Sequence, residues 1–235
     1  MKLGIRRIPR RDAIGMNRCM TILAGSLALA LWGCAEMAET HIAHMLQRHP
    51  APEALQVCHG GSCKVRTIAT LDESDWKQVR AQFDPPSPDA ETERVRVGQT
   101  IGLLERLVAP QAGTASDVGA NMRAADQSTQ LDCVDEAVNT TDYLRLLAAN
   151  GLLKFHTVEL PVHRGGFVDA HNTAVMRDQT TGVEYAVESY FYPNGVPAAV
   201  LTLADWRAGW DPREPFWDGL THRLWAMQNA APTSN

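Results

Sequence analysis

The stretch His171–Phe191 limits the fold more than any other part of this chain. "HNTAVMRD" (His171–Asp178) and "VEYAVESYF" (Val183–Phe191) are rich in β-branched, aromatic and apolar residues, and Gln179–Gly182 between them carries turn residues. Two such runs joined so closely predict an antiparallel hairpin. A turn centred between Gln179 and Thr180 sets His171 opposite Glu188 on neighbouring strands. "FHTVEL" (Phe155–Leu160) reads as a further strand.

Upstream of the hairpin the period changes. "QLDCVDEAVNTT" (Gln130–Thr141) starts a helix near Asp132. Val134, Val138, Thr141, Leu144 and Ala148 share one face, and Asn150-Gly151 ends it. Asp132, Asp135 and Glu136 occupy the first turn, where the partial positive charge of a helix favours acids. The same field favours the thiolate of Cys133, and the neighbouring carboxylates oppose it. A reactive Cys133 therefore needs a basic partner from elsewhere.

Earlier segments read as core and cover. Lys64–Thr70 is strand-like, and Thr70–Glu73 resembles a capping box opening a helix through Trp76 and Phe83. Ser87-Pro88 offers an N-cap and a first-position proline for a second helix. Its apolar stripe is Val97, Ile101, Leu104 and Val108, and it ends near Pro110. Gly113–Thr129 is polar and irregular, a loop suited to cover a site. Helices followed by an antiparallel sheet predict the α+β class.

The 235 residues carry a net charge of −5 that hides an asymmetry. Six basic residues and one acid lie in residues 1–33, so the remainder carries about −10. A body that acidic repels phosphate backbones, which argues against nucleic acid as a partner. The basic stretch runs into the apolar Thr21–Leu31, too short for a membrane span of roughly 20 residues but suited to a secretory signal. "LWGC", Leu31–Cys34, resembles the lipobox of bacterial lipoproteins. That resemblance implies a signal peptide over 1–33 and lipidation of Cys34. It also implies anchoring in the cell envelope, at the periplasmic face of the outer membrane. Residues 34–54 then read as a tether and 55–235 as one domain: a helical part over 55–129, a core over 130–200 and a tryptophan-rich end over 201–235.

Three cysteines remain beyond Cys19 and Cys34. "CHGGSC" brings Cys58 and Cys63 together around a Gly-Gly turn, and in an oxidising compartment a local disulfide is the first reading. A zinc site with His59 and thiol–disulfide exchange are the alternatives. Cys133 is left without a partner. It is either a buried apolar residue or a reactive thiol.

A cysteine at a helix start, then a histidine and an acid on successive strands, resembles the transglutaminase-like branch of the papain-like superfamily. The likeness is to its bacterial cysteine peptidases, and it covers roughly Gln127–Asn194. It implies a core of a cysteine-bearing helix on an antiparallel sheet. It also implies Cys133 as nucleophile, His171 as general base and acid, and Glu188 as the group orienting His171. The Cys133 N–H and the side chain of Gln127 or Gln130 would then bind the oxyanion. Peptide or protein amides, cell-wall peptides among them, are the implied substrates; no cofactor or metal is expected.

Each residue also has a plainer role. Cys133 can pack, His171 can bond a carbonyl, and Glu188 can face solvent. His156 and His163 are rival histidines without a strand acid in register. Trp206, Trp210, Trp217 and Trp225 suit core packing more than a binding platform. The alternative to an enzyme is an inactive envelope module that binds peptide or glycan on the same fold.

Overall fold

The computed structural model describes residues 42–120, 127–166 and 170–212; the basic and apolar leader, Cys34, Trp217 and Trp225 lie outside them. Strands β1 (Leu55–His59) and β2 (Val65–Ala69) pair antiparallel, with Leu55 opposite Ala69 and His59 opposite Val65. β2 matches the strand expected at Lys64–Thr70. β1 has no alternation to read, because four of its five residues are buried. The domain's first part, expected to be helical, thus opens on a hairpin. Gly60 and Gly61 turn the chain with φ of 80° and 82°, left-handed values that glycine adopts without a Cβ clash. Cys58 and Cys63 are bridged across that turn, so neither sulfur is a zinc ligand.

The described end of the expected tether packs on this hairpin. Ile42 and Met45 are buried beside Cys58, Cys63 and Val138. The Gln47 N–H donates to Asp142 at 2.9 Å, and Arg145 donates to the Gln47 carbonyl at 2.7 Å.

Two helix starts fall later than the sequence suggests. Helix α1 (Glu73–Ala81) is capped by Asp72, which accepts from the Asp75 N–H at 2.8 Å. Thr70 is engaged elsewhere, its hydroxyl on the Glu53 carbonyl and its N–H on Gln111. Helix α2 (Ala90–Ala112) is capped by Asp89, not Ser87. It runs through Pro110, where one missing N–H removes a single rung, and closes at Gly113 with φ of 75°. Val97, Ile101, Leu104 and Val108 are all buried, as their spacing requires.

Helix α3 (Cys133–Ala149) begins and ends where expected, with Asp132 as N-cap, Asp135 completing a capping box, and Asn150 closing it. It is buried on most sides from Asp135 to Leu144, so it is an internal helix rather than a surface one. Strands β3 (His156–Val158), β4 (Val162–Arg164), β5 (His171–Asp178), β6 (Glu184–Glu188) and β7 (Ala199–Thr202) follow, with the short helix α4 (Leu203–Arg207) at the end. Antiparallel pairing gives the order β3-β5-β6-β7; β3 pairs with the end of β5 and β4 with its beginning. Leu144 and Leu147 of α3 meet Ile101 and Leu104 of α2 and Met176 and Val187 of the sheet in one apolar core. Helices and antiparallel sheets make the protein mixed α+β.

Segment 195–198 lies directly on α2. A Cβ added at Gly98 would stand 2.4 Å from the Ala198 carbonyl oxygen, and one at Gly102 would stand 2.7 Å from that of Val196. The Ala198 N–H donates to the Gly98 carbonyl at 3.0 Å.

Candidate active site

Cys133 is the first residue of α3, a free and half-buried thiol. The disulfide loop fixes that helix end. Gly61 and Cys63 donate their N–H groups to the Asp135 carboxylate at 2.7 and 2.6 Å, and Ser62 donates to Asp132 at 2.8 Å. The Cys58 backbone exchanges two hydrogen bonds with the Asn139 amide at 2.7 and 2.8 Å. Of the first-turn acids that the sequence reading sets against the thiolate, Asp132 and Asp135 are thus turned toward a cradle of N–H donors, and Glu136 accepts from the Ser189 hydroxyl at 2.7 Å.

His171 opens β5 and Glu188 closes β6, both nearly inaccessible at 6% and 1% exposure. The hairpin register differs from the expected one. Ala174 pairs with Val187, so Glu188 falls level with Thr173, two residues from the predicted partner. A slip of two keeps both side chains on one face, whereas a slip of one would separate them. The long glutamate spans the diagonal, and His171 Nε2 donates to Glu188 Oε2 at 2.9 Å.

With Nε2 committed to the carboxylate, Nδ1 is the ring nitrogen left for the thiol. Burial pushes the His171 imidazole down; its hydrogen bonds to Cys133 and Glu188 and their negative charge outweigh this and raise its pKa to about 9. Both oxygens of Glu188 are engaged: Trp206 Nε1 also donates to Oε2 at 2.7 Å, and the Tyr190 N–H donates to Oε1 at 3.2 Å.

Aromatic rings enclose the histidine, with Tyr190 and Phe191 at 5.1 Å and Trp206 at 5.7 Å between centroids. Arg164 of β4 lies 4.4 Å over Trp206 and donates to the Trp206 and Trp210 carbonyls. Trp206 is a packing residue with no exposed surface, and it is also the second donor to the acid. Phe191 and Trp210 are half-buried and meet edge to face at 5.9 Å. The described part of the loop expected over the site rests on the same segment: the Ala120 N–H donates to the Tyr190 carbonyl at 2.6 Å, and the Asn194 N–H to that of Asp117 at 3.1 Å.

Two sequence expectations are corrected here. Gln130 is turned away from Cys133, its amide nitrogen donating to the Ser116 and Thr129 carbonyls at 2.8 and 3.5 Å; Gln127 is exposed on the surface. Rival His156 does have a strand acid in register, Asp178 opposite it across β3 and β5, and a second acid from a helix: Glu93 of α2 accepts from His156 Nδ1 at 2.8 Å and from the N–H groups of Lys154, Phe155 and His156. That pair seals β3 against α2 and holds no thiol.

Asn172 is the residue the sequence did not indicate. Strand alternation places it opposite His171, yet its Nδ2 donates to Cys133 Sγ at 3.5 Å, and its Oδ1 accepts from His163 Nδ1 at 3.2 Å. Among the described residues no group of three or more side chains is suited to hold a metal. No family model, curated protein or solved structure matches the chain.

Proposed function

We propose that the protein is a thiol acyl-transfer enzyme, a transglutaminase-like cysteine peptidase or amidase. One observation carries the reading: buried His171 stands between the Cys133 thiol and Glu188 and hydrogen-bonds both. An imidazolium touching a thiol stabilises the thiolate, the nucleophilic form. In this mechanism Cys133 Sγ attacks the carbonyl carbon of an amide, and the C–S bond forms as negative charge moves to oxygen. His171 gives its proton to the departing amine, the C–N bond breaks, and a thioester remains. Neutral His171 then takes a proton from water, whose oxygen attacks the thioester and returns the thiolate. An amine in place of water makes the reaction a transamidation. Glu188, held by Trp206 and the Tyr190 N–H, fixes the ring throughout. Peptide and protein amides of the envelope are the substrates in this reading.

The same reading has the protein exported and held at a membrane by acyl chains on Cys34, on the strength of "LWGC". No described helix is long and apolar enough to cross a membrane. Cys34→Ala is expected to abolish globomycin-sensitive processing and membrane partitioning; unchanged fractionation overturns the anchor.

The decisive experiment titrates iodoacetamide alkylation of Cys133 against pH in wild type, His171→Ala and Glu188→Gln. Wild type is expected to react well below the ordinary cysteine value of about 8.5. His171→Ala should return the profile to that value, and Glu188→Gln should shift it part of the way. Ordinary titration in all three proteins, or complete protection from the reagent, removes the catalytic reading. The second reading, a binding module for peptide or glycan, is favoured by the half-buried Phe191–Trp210 pair beside the histidine. It expects Cys133→Ala to be silent in cells and Trp210→Ala not to be.

A further inference from the structure

We infer that Asn172 is a catalytic residue, an oxyanion donor whose amide His163 holds in place. This rests on the acyl-transfer reading and adds a residue to it. The Asn172 side chain is buried, 6% exposed, and both ends of its amide are engaged. Oδ1 can only accept, so the His163 Nδ1 facing it at 3.2 Å carries the proton. That contact decides which end of the amide faces the nucleophile: Nδ2, a donor, lies 3.5 Å from Cys133 Sγ. The two residues are direct cross-strand partners of β4 and β5, so the backbone register fixes the pair.

The position suits charge that develops during the reaction. The oxygen that becomes negative is bonded to the carbon that Sγ attacks, so it forms within two bonds of the sulfur. A donor already resting on the sulfur can pass its hydrogen bond from thiolate to oxyanion as the charge moves. Useful donors stand about 2.7–3.1 Å from the oxyanion, within a small displacement of the Asn172 amide. A second donor is at hand: among the described residues no acceptor takes the Cys133 N–H, which sits at the positive end of α3. Gln130, the donor suggested by the sequence, is turned away to Ser116.

Two probes separate this role from thiolate activation. Alkylation by iodoacetamide consumes the thiolate and makes no oxyanion, whereas acylation by p-nitrophenyl acetate passes through one. At the plateau of each pH profile, Asn172→Ala and the near-isosteric Asn172→Asp should lose about 10²–10³-fold in acylation, the usual effect of removing one oxyanion donor. Their plateau alkylation should stay within about twofold of wild type, a range far below that donor effect. His163→Ala should lose less acylation, because Asn172 remains but is free to turn; an equal fall in both reactions would make His163 merely structural and overturn its part. Should both Asn172 variants lose the two reactions in parallel, or keep full acylation while wild type acylates, the oxyanion assignment is wrong. A wild type with an activated alkylation profile that is not acylated also overturns it and leaves the thiolate–imidazolium pair standing. An ordinary wild-type alkylation profile overturns that pair and this assignment together. Asn172→Asp covers the case in which Asn172→Ala fails to fold.

Discussion

Glu188 works along a diagonal, and this makes its length matter. Glu188→Asp withdraws the carboxylate by about one carbon–carbon bond, ~1.5 Å, which breaks a 2.9 Å contact that the register does not let the backbone restore. The alkylation profile of Glu188→Asp should therefore move toward the free-cysteine value at least as far as that of Glu188→Gln; an unchanged profile would show that the contact is dispensable. Trp206→Phe keeps the ring beside His171 and removes one donor from a buried carboxylate. A hydrogen bond to a charged group contributes about 1.5–3 kcal/mol, so urea denaturation should show a loss of that order.

Among the elements, the disulfide hairpin is the brace of the nucleophile's helix. Its loop N–H groups reach the carboxylates on either side of Cys133 at 2.6–2.8 Å. Replacing both Cys58 and Cys63 by serine removes a short-loop constraint of about 2 kcal/mol and releases those donors. Lower stability and slower Cys133 alkylation should appear together; a loss of stability with unchanged alkylation would show that the brace does not position the thiol. The contact between α2 and segment 195–198 is equally exacting. Gly98→Ala drives a methyl against the Ala198 carbonyl, backbone that has no rotamer with which to yield. Overpacking of this kind costs about 1–3 kcal/mol, to be read as a lower Tm, and Gly113→Ala does not match it in mechanism because that position has open space and only a φ penalty.

For the whole molecule, buried acids set the response to pH. Burial raises Glu105 to about 8, Asp135 and Asp142 to about 7, and Asp117 to about 6; the charge of Asp132 adds to the shift at Asp135, and that of Asp117 to the shift at Glu105. His171 is raised to about 9. Each raised group holds a proton in the folded state that the unfolded chain releases. Its stabilisation is complete below the unfolded pKa and is lost as pH climbs through the folded one. The carboxyls act from about pH 4 upward and the histidine from about 6.5. Glu93, Asp89 and Asp178 are lowered and run the other way, losing their contribution only as pH falls below the ordinary carboxylate range. Tm should therefore be higher at pH 5 than at pH 8.5 in differential scanning fluorimetry, and a rise toward pH 8.5 would contradict this balance.

Local chemistry alone determined the helix bearing Cys133, the hairpin after it and the Cys58–Cys63 bridge, because caps, turn residues and periodicity act within a few residues. It also set the face of the hairpin that joins His171 to Glu188, since a two-residue slip preserves parity. Cap positions were harder: Asp72 and Asp89 cap N–H groups three residues on, while Thr70 is held instead by the distant Glu53 and Gln111. β1 was hidden by burial on both faces, and Asn172 by an alternation rule that the start of β5 does not obey toward α3. The loop N–H groups on Asp135 join residues far apart in the chain, and Trp206 on Glu188 and His163 on Asn172 join side chains of different elements. Those contacts were decided only by tertiary structure, because a side chain's partner depends on which backbone the packed core brings within hydrogen-bonding reach.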